Sequence, residues 1–101
     1  MTNASFVGMF YDCSYDEDTS CIVWDNKDSI VKVLLGKDGK ATSAFESCEE
    51  DDGSWSEWKV LPTKFCSYVN EGLAKAEELG IALNDLGRVV LDNDLSSVVL
   101  A

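Results

Sequence analysis

Histidine is absent from this 101-residue sequence, proline occurs once, and only 8 lysines and arginines stand against 19 aspartates and glutamates. Without an imidazole, the chain has neither a Ser-His nor a Cys-His pair for nucleophilic catalysis, and no zinc site that uses histidine. The net charge of −11 repels nucleic acids and anionic membranes, so we expect the protein to bind neither directly. We expect no enzymatic activity, no metal and no cofactor.

Long apolar runs are also missing. Residues 1–5 carry no basic side chain, and no stretch is long enough for a signal-peptide core or a membrane span. We therefore expect the protein to reside in the cytosol of its host cell. Hydrophobic residues make up 46% of the chain and aromatic residues 10%, which is enough for residues 1–101 to form one domain with its own core.

The four cysteines, Cys13, Cys21, Cys48 and Cys66, contain no C-x-x-C pair. This spacing excludes a thioredoxin-type redox motif and a zinc knuckle. In a cytosolic protein we expect them to be small buried hydrophobic residues, and a disulfide between Cys13 and Cys21 is the alternative.

Apolar and β-branched residues recur in short segments that indicate strands. We predict five of them, at residues 5–11, 21–24, 29–36, 41–47 and 55–61. The Asp38-Gly39 pair between the third and fourth segments favours a β-hairpin with a two-residue type I′ turn.

One clear helix is predicted at about residues 63–79, with Thr63 as N-cap and Gly80 after its end. Its apolar face comprises Phe65, Val69, Gly72, Leu73, Ala76 and Leu79. At Gly72 we expect a close approach to the sheet. Residues 88–91 resemble a strand, and residues 95–101 suit either a last strand or a short helix. The predicted fold is α+β, an antiparallel β-meander of about five strands, with a sixth at the C-terminus as an option, and one main helix on one face.

Two segments carry the negative charge. Residues 12–25 hold five acids and no base, and residues 46–57 hold six acids and no base. Between them, residues 27–45 carry a net charge of +2. In the predicted meander, the acidic segments around 16–18 and 49–52 lie in loops that leave opposite ends of the sheet.

Four interpretations of this acidity compete. The simplest is that acidic loops keep a small protein soluble. Calcium binding is a second, but an EF-hand loop starting at Cys48 would have a cysteine at position one and Lys59 at position twelve, so that pattern fails. Carboxylate catalysis is a third, and it needs a desolvated cleft that solvated runs of like charge do not provide.

The fourth interpretation is that the carboxylates imitate nucleic-acid phosphates and bind a basic protein surface. Trp55 and Trp58 would face opposite sides of a strand, so we expect at least one in the core, and the other could anchor a partner. Tyr15, in the first acidic loop, is a further contact candidate. The predicted partner-binding residues are Asp16, Glu17, Asp18, Glu46, Glu49, Glu50, Asp51, Asp52, Glu57, Trp55 and Tyr15.

In size and charge the chain resembles small acidic inhibitors, among them phage-encoded anti-CRISPR and anti-restriction proteins that mimic DNA, and immunity proteins that neutralise nuclease toxins. This resemblance, which involves no shared motif, implies a stoichiometric inhibitor from a phage or mobile element that binds a nucleic-acid-handling protein. An immunity protein is one alternative, and a structural or adaptor subunit whose acidity serves only solubility is another. Either a monomer or a homodimer is compatible with the sequence.

Overall fold

Two antiparallel sheets and three helical segments make up the protein, and the computed structural model describes all 101 residues. The elements are α1 (Asn3–Phe10), β1 (Ser14–Asp16), β2 (Cys21–Asp25), β3 (Ser29–Leu35), β4 (Ala41–Cys48), β5 (Lys59–Val60), α2 (Thr63–Glu78), a 3₁₀ helix (Leu83–Arg88), β6 (Val89–Leu91) and β7 (Val98–Leu100). Strands β1 to β5 pair in chain order, and β6 pairs with β7 in a separate sheet. The predicted α+β meander with one main helix, α2, packed on the sheet through β4, is confirmed.

The N-terminal segment is a helix, so the strand predicted at residues 5–11 is wrong. The side chain of Thr2 accepts a hydrogen bond from the backbone N–H of Ser5 at 3.0 Å and thereby caps α1. Phe6 and Phe10 are four residues apart, so they share one face of the helix, and both are fully buried. The first strand is instead β1, in a polar stretch that was predicted to be a loop.

The β3–β4 hairpin forms within one residue of its predicted bounds, but its turn differs from the prediction. The N–H of Gly36 donates to the carbonyl of Lys40 at 2.8 Å, and the N–H of Gly39 donates to the carbonyl of Gly36 at 2.9 Å. A type I′ turn needs positive φ at both central residues, whereas here Gly39 alone has one, at +79°. The loop is therefore of the three-residue kind with glycine in the left-handed position, and the Asp38 carboxylate accepts the N–H of Lys40.

Helix α2 starts at Thr63 and follows Pro62, so Pro62 rather than Thr63 occupies the N-cap position. Gly80 has a φ of +73°, which confirms its predicted place after the helix end. The buried face consists of Cys66, Val69, Gly72 and Ala76. Leu79, predicted on this face, is 46% exposed and lies just after the last helical residue, Glu78, so its predicted burial is wrong.

Gly72 approaches α1 rather than the sheet. A Cβ atom built on Gly72 would lie 2.5 Å from the Met9 sulfur and 2.7 Å from the Phe10 ring. A methyl group at this position would require both Met9 and the Phe10 ring to shift. The predicted close approach at Gly72 is confirmed, but the element that approaches is α1 and not the sheet.

The core consists of two adjoining clusters on the helix side of the sheet. The first contains Phe6, Phe10, Ile22, Ala76, Leu86 and Val89, and the second contains Val33, Ala41, Ala44, Cys66 and Val69. Trp24 packs against both, stacks on Phe10 with ring centroids 6.2 Å apart, and donates its indole N–H to the carbonyl of Met9 at 2.6 Å. This residue thus connects the sheet to α1.

The C-terminal residues form the β6–β7 hairpin, which identifies the ambiguous tail as a strand. The last strand, β7, pairs with β6 in a second sheet, so it does not extend the five-stranded sheet. Arg88 donates two hydrogen bonds to the carbonyl of Ala101, and the N–H of Ala101 donates to the carbonyl of Arg88. The chain end is thereby attached to the 3₁₀ helix.

Candidate protein-binding surface

The first acidic segment lies at the end of the sheet where β1 turns into β2. Asp16 and Glu17 take part in local structure here: Asp16 accepts the N–H of Asp18 at 3.0 Å, and Glu17 accepts the side-chain amide of Asn84 at 2.8 Å. The turn between β3 and β4 leaves the sheet at the same end and carries Lys37 and Lys40. The negative charge of this end is therefore partly offset by neighbouring lysines.

The second acidic segment lies at the opposite end and gains two further carboxylates there. The turn from β2 to β3 and the connection from β4 to β5 both leave the sheet at this end, and the N–H of Glu49 donates to the carbonyl of Asp28 at 2.9 Å. We call this surface the acidic end, and it comprises Asp25, Asp28, Glu49, Glu50, Asp51, Asp52 and Glu57. Its neighbouring cations in sequence are Lys27 and Lys59.

The tip of the acidic end is a hydrogen-bonded turn. The N–H of Glu50 donates to the carbonyl of Ser54 at 2.7 Å, the N–H of Gly53 donates to the carbonyl of Glu50, and Gly53 has a φ of +87°. The Asp52 carboxylate accepts both the N–H and the hydroxyl of Ser54, at 2.9 and 2.6 Å. These hydrogen bonds stabilise the charged form and hold the pKa of Asp52 below its usual range. This turn repeats the geometry of the β3–β4 turn.

The carboxylates of the acidic end have no ionic partner within the protein. The only pair of opposite charges within 4.0 Å in the whole chain is Arg88 with Asp85, at 3.4 Å on the 3₁₀ helix. Side chains at positions 25, 28, 49–52 and 57 are all exposed. Their charge is thus directed at solvent, where long-range attraction to a cationic surface operates.

The two tryptophans of this connection are both half-exposed, at 46% each, so the prediction that at least one lies in the core is wrong. The predicted strand at 55–61 is reduced to the two residues of β5. Ser56 lies beside the end of β4, where the Ser47 hydroxyl donates to the carbonyl of Ser56 at 2.7 Å and the N–H of Cys48 donates to the Ser56 hydroxyl at 2.9 Å. Trp55 forms an isolated bridge with Glu49 beside the acidic end. Trp58 lies over the sheet, with the Lys32 ammonium 5.0 Å from its ring centroid.

The remaining predicted contact residues are separated from the acidic end. Glu46 lies directly opposite Val31 and Lys59, on the side of the sheet that carries the helices. Tyr15 is on β1 rather than in a loop, and it is half-buried against the first core cluster. The structure therefore brings 49–52, Glu57 and Trp55 together, but not Asp16, Glu17, Asp18, Glu46 and Tyr15.

Two members of the acidic end were missing from the predicted set, namely Asp25 and Asp28. Along the chain, Asp25 belongs to the first acidic segment, and Asp28 belongs to the segment 27–45, which has a net charge of +2. Their place next to Glu49 follows from the pairing of Ser29 with Cys48. The predicted meander already contained this signal, because the 2–3 and 4–5 connections of a meander leave the same end.

No cluster of three or more cysteine or acidic side chains is arranged to bind a metal ion. All four cysteines are free thiols. Cys21 and Cys66 are buried as expected, whereas Cys13 and Cys48 are only half-buried, so the expectation is wrong for these two. Burial raises the pKa of the Cys13 thiol to about 11, so this thiol stays protonated at neutral pH. No helix in the structure has the length and apolarity that crossing a membrane requires.

Comparison of the chain with protein-family models, with curated proteins and with solved structures gave no match in any of the three.

Proposed function

We propose that this protein is a non-enzymatic inhibitor that binds the basic surface of a nucleic-acid-handling protein and presents the acidic end in place of phosphates. The observation that supports this function best is the acidic end itself. It gathers seven exposed carboxylates, from two connections, that lack an ionic partner in the protein.

The charge density of this surface is close to that of nucleic acid. The acidic end spans the connections of β2 to β5, which are three strand spacings or roughly 15 Å across. Seven carboxylates over this width, less the charge of Lys27 in the same turn, correspond to about one net negative charge per 2.5 Å, and duplex DNA carries one per about 1.7 Å of its axis. A groove that attracts phosphates would attract this surface by the same electrostatic force.

The acidic end is also fixed in shape before any partner arrives. Its tip is held by the Glu50–Ser54 and Gly53–Glu50 hydrogen bonds, and its base by the bond from Glu49 to Asp28. A surface that is ordered in advance loses less conformational entropy on binding. Such an arrangement suits tight stoichiometric inhibition better than flexible acidic loops would.

We place this activity in the cytosol of a bacterial host and in counter-defence by a phage or mobile element. The target would be an effector of anti-CRISPR or anti-restriction type, whose basic channel normally holds DNA or RNA. A protein of this class needs no catalytic group, since occupying the channel is sufficient.

The test is a pull-down from host lysate with three versions of the protein. Glu49, Glu50 and Asp51 are changed together to lysine, while Asp52 is kept because its carboxylate holds the turn. The matched control changes three exposed acids of α2, in the triple variant E71K/E77K/E78K, and alters the net charge equally. We expect the wild type and the control to retain a nucleic-acid-handling protein that duplex DNA displaces, and the acidic-end variant to lose it. Equal retention by both variants would contradict the proposed function.

A further inference from the structure

The side of the five-stranded sheet opposite the helices, which we call the outer face, carries apolar residues. Ile22, Val33 and Ala44 point to the core, and residues directly paired across antiparallel strands share a side. The outer face therefore includes the row Val23, Lys32, Phe45 and Val60, and the adjacent row Cys21, Leu34 and Ser43. Val60 is 73% exposed, which is unusual for a strand residue of this type.

A groove of about 280 Å³ opens on this face. It is lined by Cys21, Lys32, Leu34, Phe45 and Trp58. Trp58 forms one wall. It lies two residues before Val60, which is paired with Phe45 on the outer face, and side chains two residues apart in an extended chain share a side. The Lys32 ammonium lies 5.0 Å from the centroid of the Trp58 ring, and both side chains line the groove.

The groove adjoins the acidic end. The row of Lys32 and Phe45 is one two-residue step, or roughly 7 Å, from the row of Asp25, Ile30 and Ser47 at that end of the sheet. Asp16, on the edge strand β1, is paired with Cys21 in the row that lines the groove. Exposed carboxylates therefore lie beside the groove at two places, Asp25 toward the acidic end and Asp16 at the β1 edge.

We propose that this groove receives one large apolar side chain from a basic segment of the partner protein. This inference rests on the proposed function and adds a short-range contact to it. A cavity of this size is smaller than most small-molecule sites and suits a single side chain. The flanking acids select a partner segment that carries lysine or arginine on either side of the apolar residue.

The two contacts have separate roles. Charge on the acidic end attracts the basic segment over distances of about a Debye length, and this attraction weakens with salt. The apolar side chain then displaces water from Leu34, Phe45 and Trp58, as the central residue of a protein interface does. Nucleic acid offers no aliphatic side chain, so this groove would distinguish a protein partner from a phosphate backbone.

The experiment uses two synthetic eleven-residue peptides of alternating arginine and glycine, one with a central leucine and one with a central serine. Their dissociation constants are measured by fluorescence anisotropy at low salt. We expect the leucine peptide to bind the wild type about fivefold more tightly, which is less than full burial of leucine would give because the groove is open. Substitution Trp58→Ser is expected to remove this preference. The control Trp55→Ser, which changes an equally exposed tryptophan outside the groove, is expected to keep it.

Two results would overturn the inference. One is equal affinity of the wild type for the two peptides. The other is a preference for the leucine peptide that remains in Trp58→Ser, provided that the circular dichroism of this variant is unchanged. The triple lysine variant E49K/E50K/D51K separates this result from the proposed function. It should lose affinity for both peptides while it keeps their ratio. Undiminished affinity in that variant would contradict the proposed function, whereas the ratio alone decides the inference about the groove.

Discussion

Replacing Gly72 with alanine tests whether residues 3–10 pack as a helix against α2. In an exposed helix, Gly→Ala stabilises the fold by up to about 1 kcal/mol. At Gly72 the new Cβ would lie 2.5 Å from the Met9 sulfur, and 2.7 and 2.9 Å from two carbons of the Phe10 ring. Met9 can rotate away, but the Phe10 ring is fully buried next to Phe6 and Trp24.

The size of the effect follows from these contacts. Overpacking a well-packed core costs about 1–3 kcal/mol, and a clash with a fully buried ring is expected at the upper end of this range. After the gain in helix propensity is subtracted, Gly72→Ala should lower the free energy of unfolding by about 2 kcal/mol. For a domain of this size, the melting temperature should fall by roughly 10 °C.

The matched control is Gly8→Ala on α1, where a new Cβ would have no neighbour within 4 Å. It should raise the free energy of unfolding by about 0.5–1 kcal/mol. Urea denaturation followed by circular dichroism measures both variants. A Gly72→Ala variant as stable as the wild type would refute the packing of α1 on α2 at this point.

Three further predictions concern single side chains. The pKa of Asp52 lies below 3.8, so the ionised carboxylate stabilises the folded protein above about pH 4, and this stabilisation is lost as the pH falls through the lowered pKa. The free energy of unfolding, measured from about pH 5 to 2, should show this loss in the wild type and not in Asp52→Asn. Alkylation of Cys13, followed by mass spectrometry, should keep accelerating up to about pH 11, and a plateau near pH 8.5 would contradict its burial. The Asn70 side chain accepts the N–H of Ala41 at 2.7 Å and donates to the carbonyl of Ala41 at 3.3 Å. Asn70→Ala should therefore lower the free energy of unfolding, measured by urea denaturation, by about 1–3 kcal/mol. An unchanged free energy of unfolding would show that this link between α2 and β4 contributes nothing.

Regular local patterns made much of the sheet and the main helix predictable. Residues 29–47 alternate around an Asp-Gly turn, and 63–79 repeat with helical spacing before Gly80, so both elements were located to within a residue or two. The order of strands in a meander also placed the two acidic loops at opposite ends. These features depend on interactions between residues close in sequence.

The errors arose where distant contacts decide the structure. Residues 5–11 are apolar on every side and suit a buried strand or a buried helix equally well, and α1 forms because Phe6 and Phe10 fill a space between α2 and the 3₁₀ helix. Likewise, alternation along 55–61 predicts that at least one of Trp55 and Trp58 is in the core, but both are 46% exposed because this segment forms only the short edge strand β5. Asp25 and Asp28 are more than 20 residues from Glu49 in sequence, and only the pairing of β3 with β4 brings them to the acidic end.

The dependence of partner binding on salt tests the central claim most directly. The dissociation constant of the complex between the wild type and its isolated partner is measured in 50 and 200 mM NaCl. If the acidic end substitutes for phosphates, the affinity should fall at least about tenfold over this range, and the triple variant E49K/E50K/D51K should not bind measurably at either salt concentration. An affinity that is the same at both salt concentrations would contradict the account.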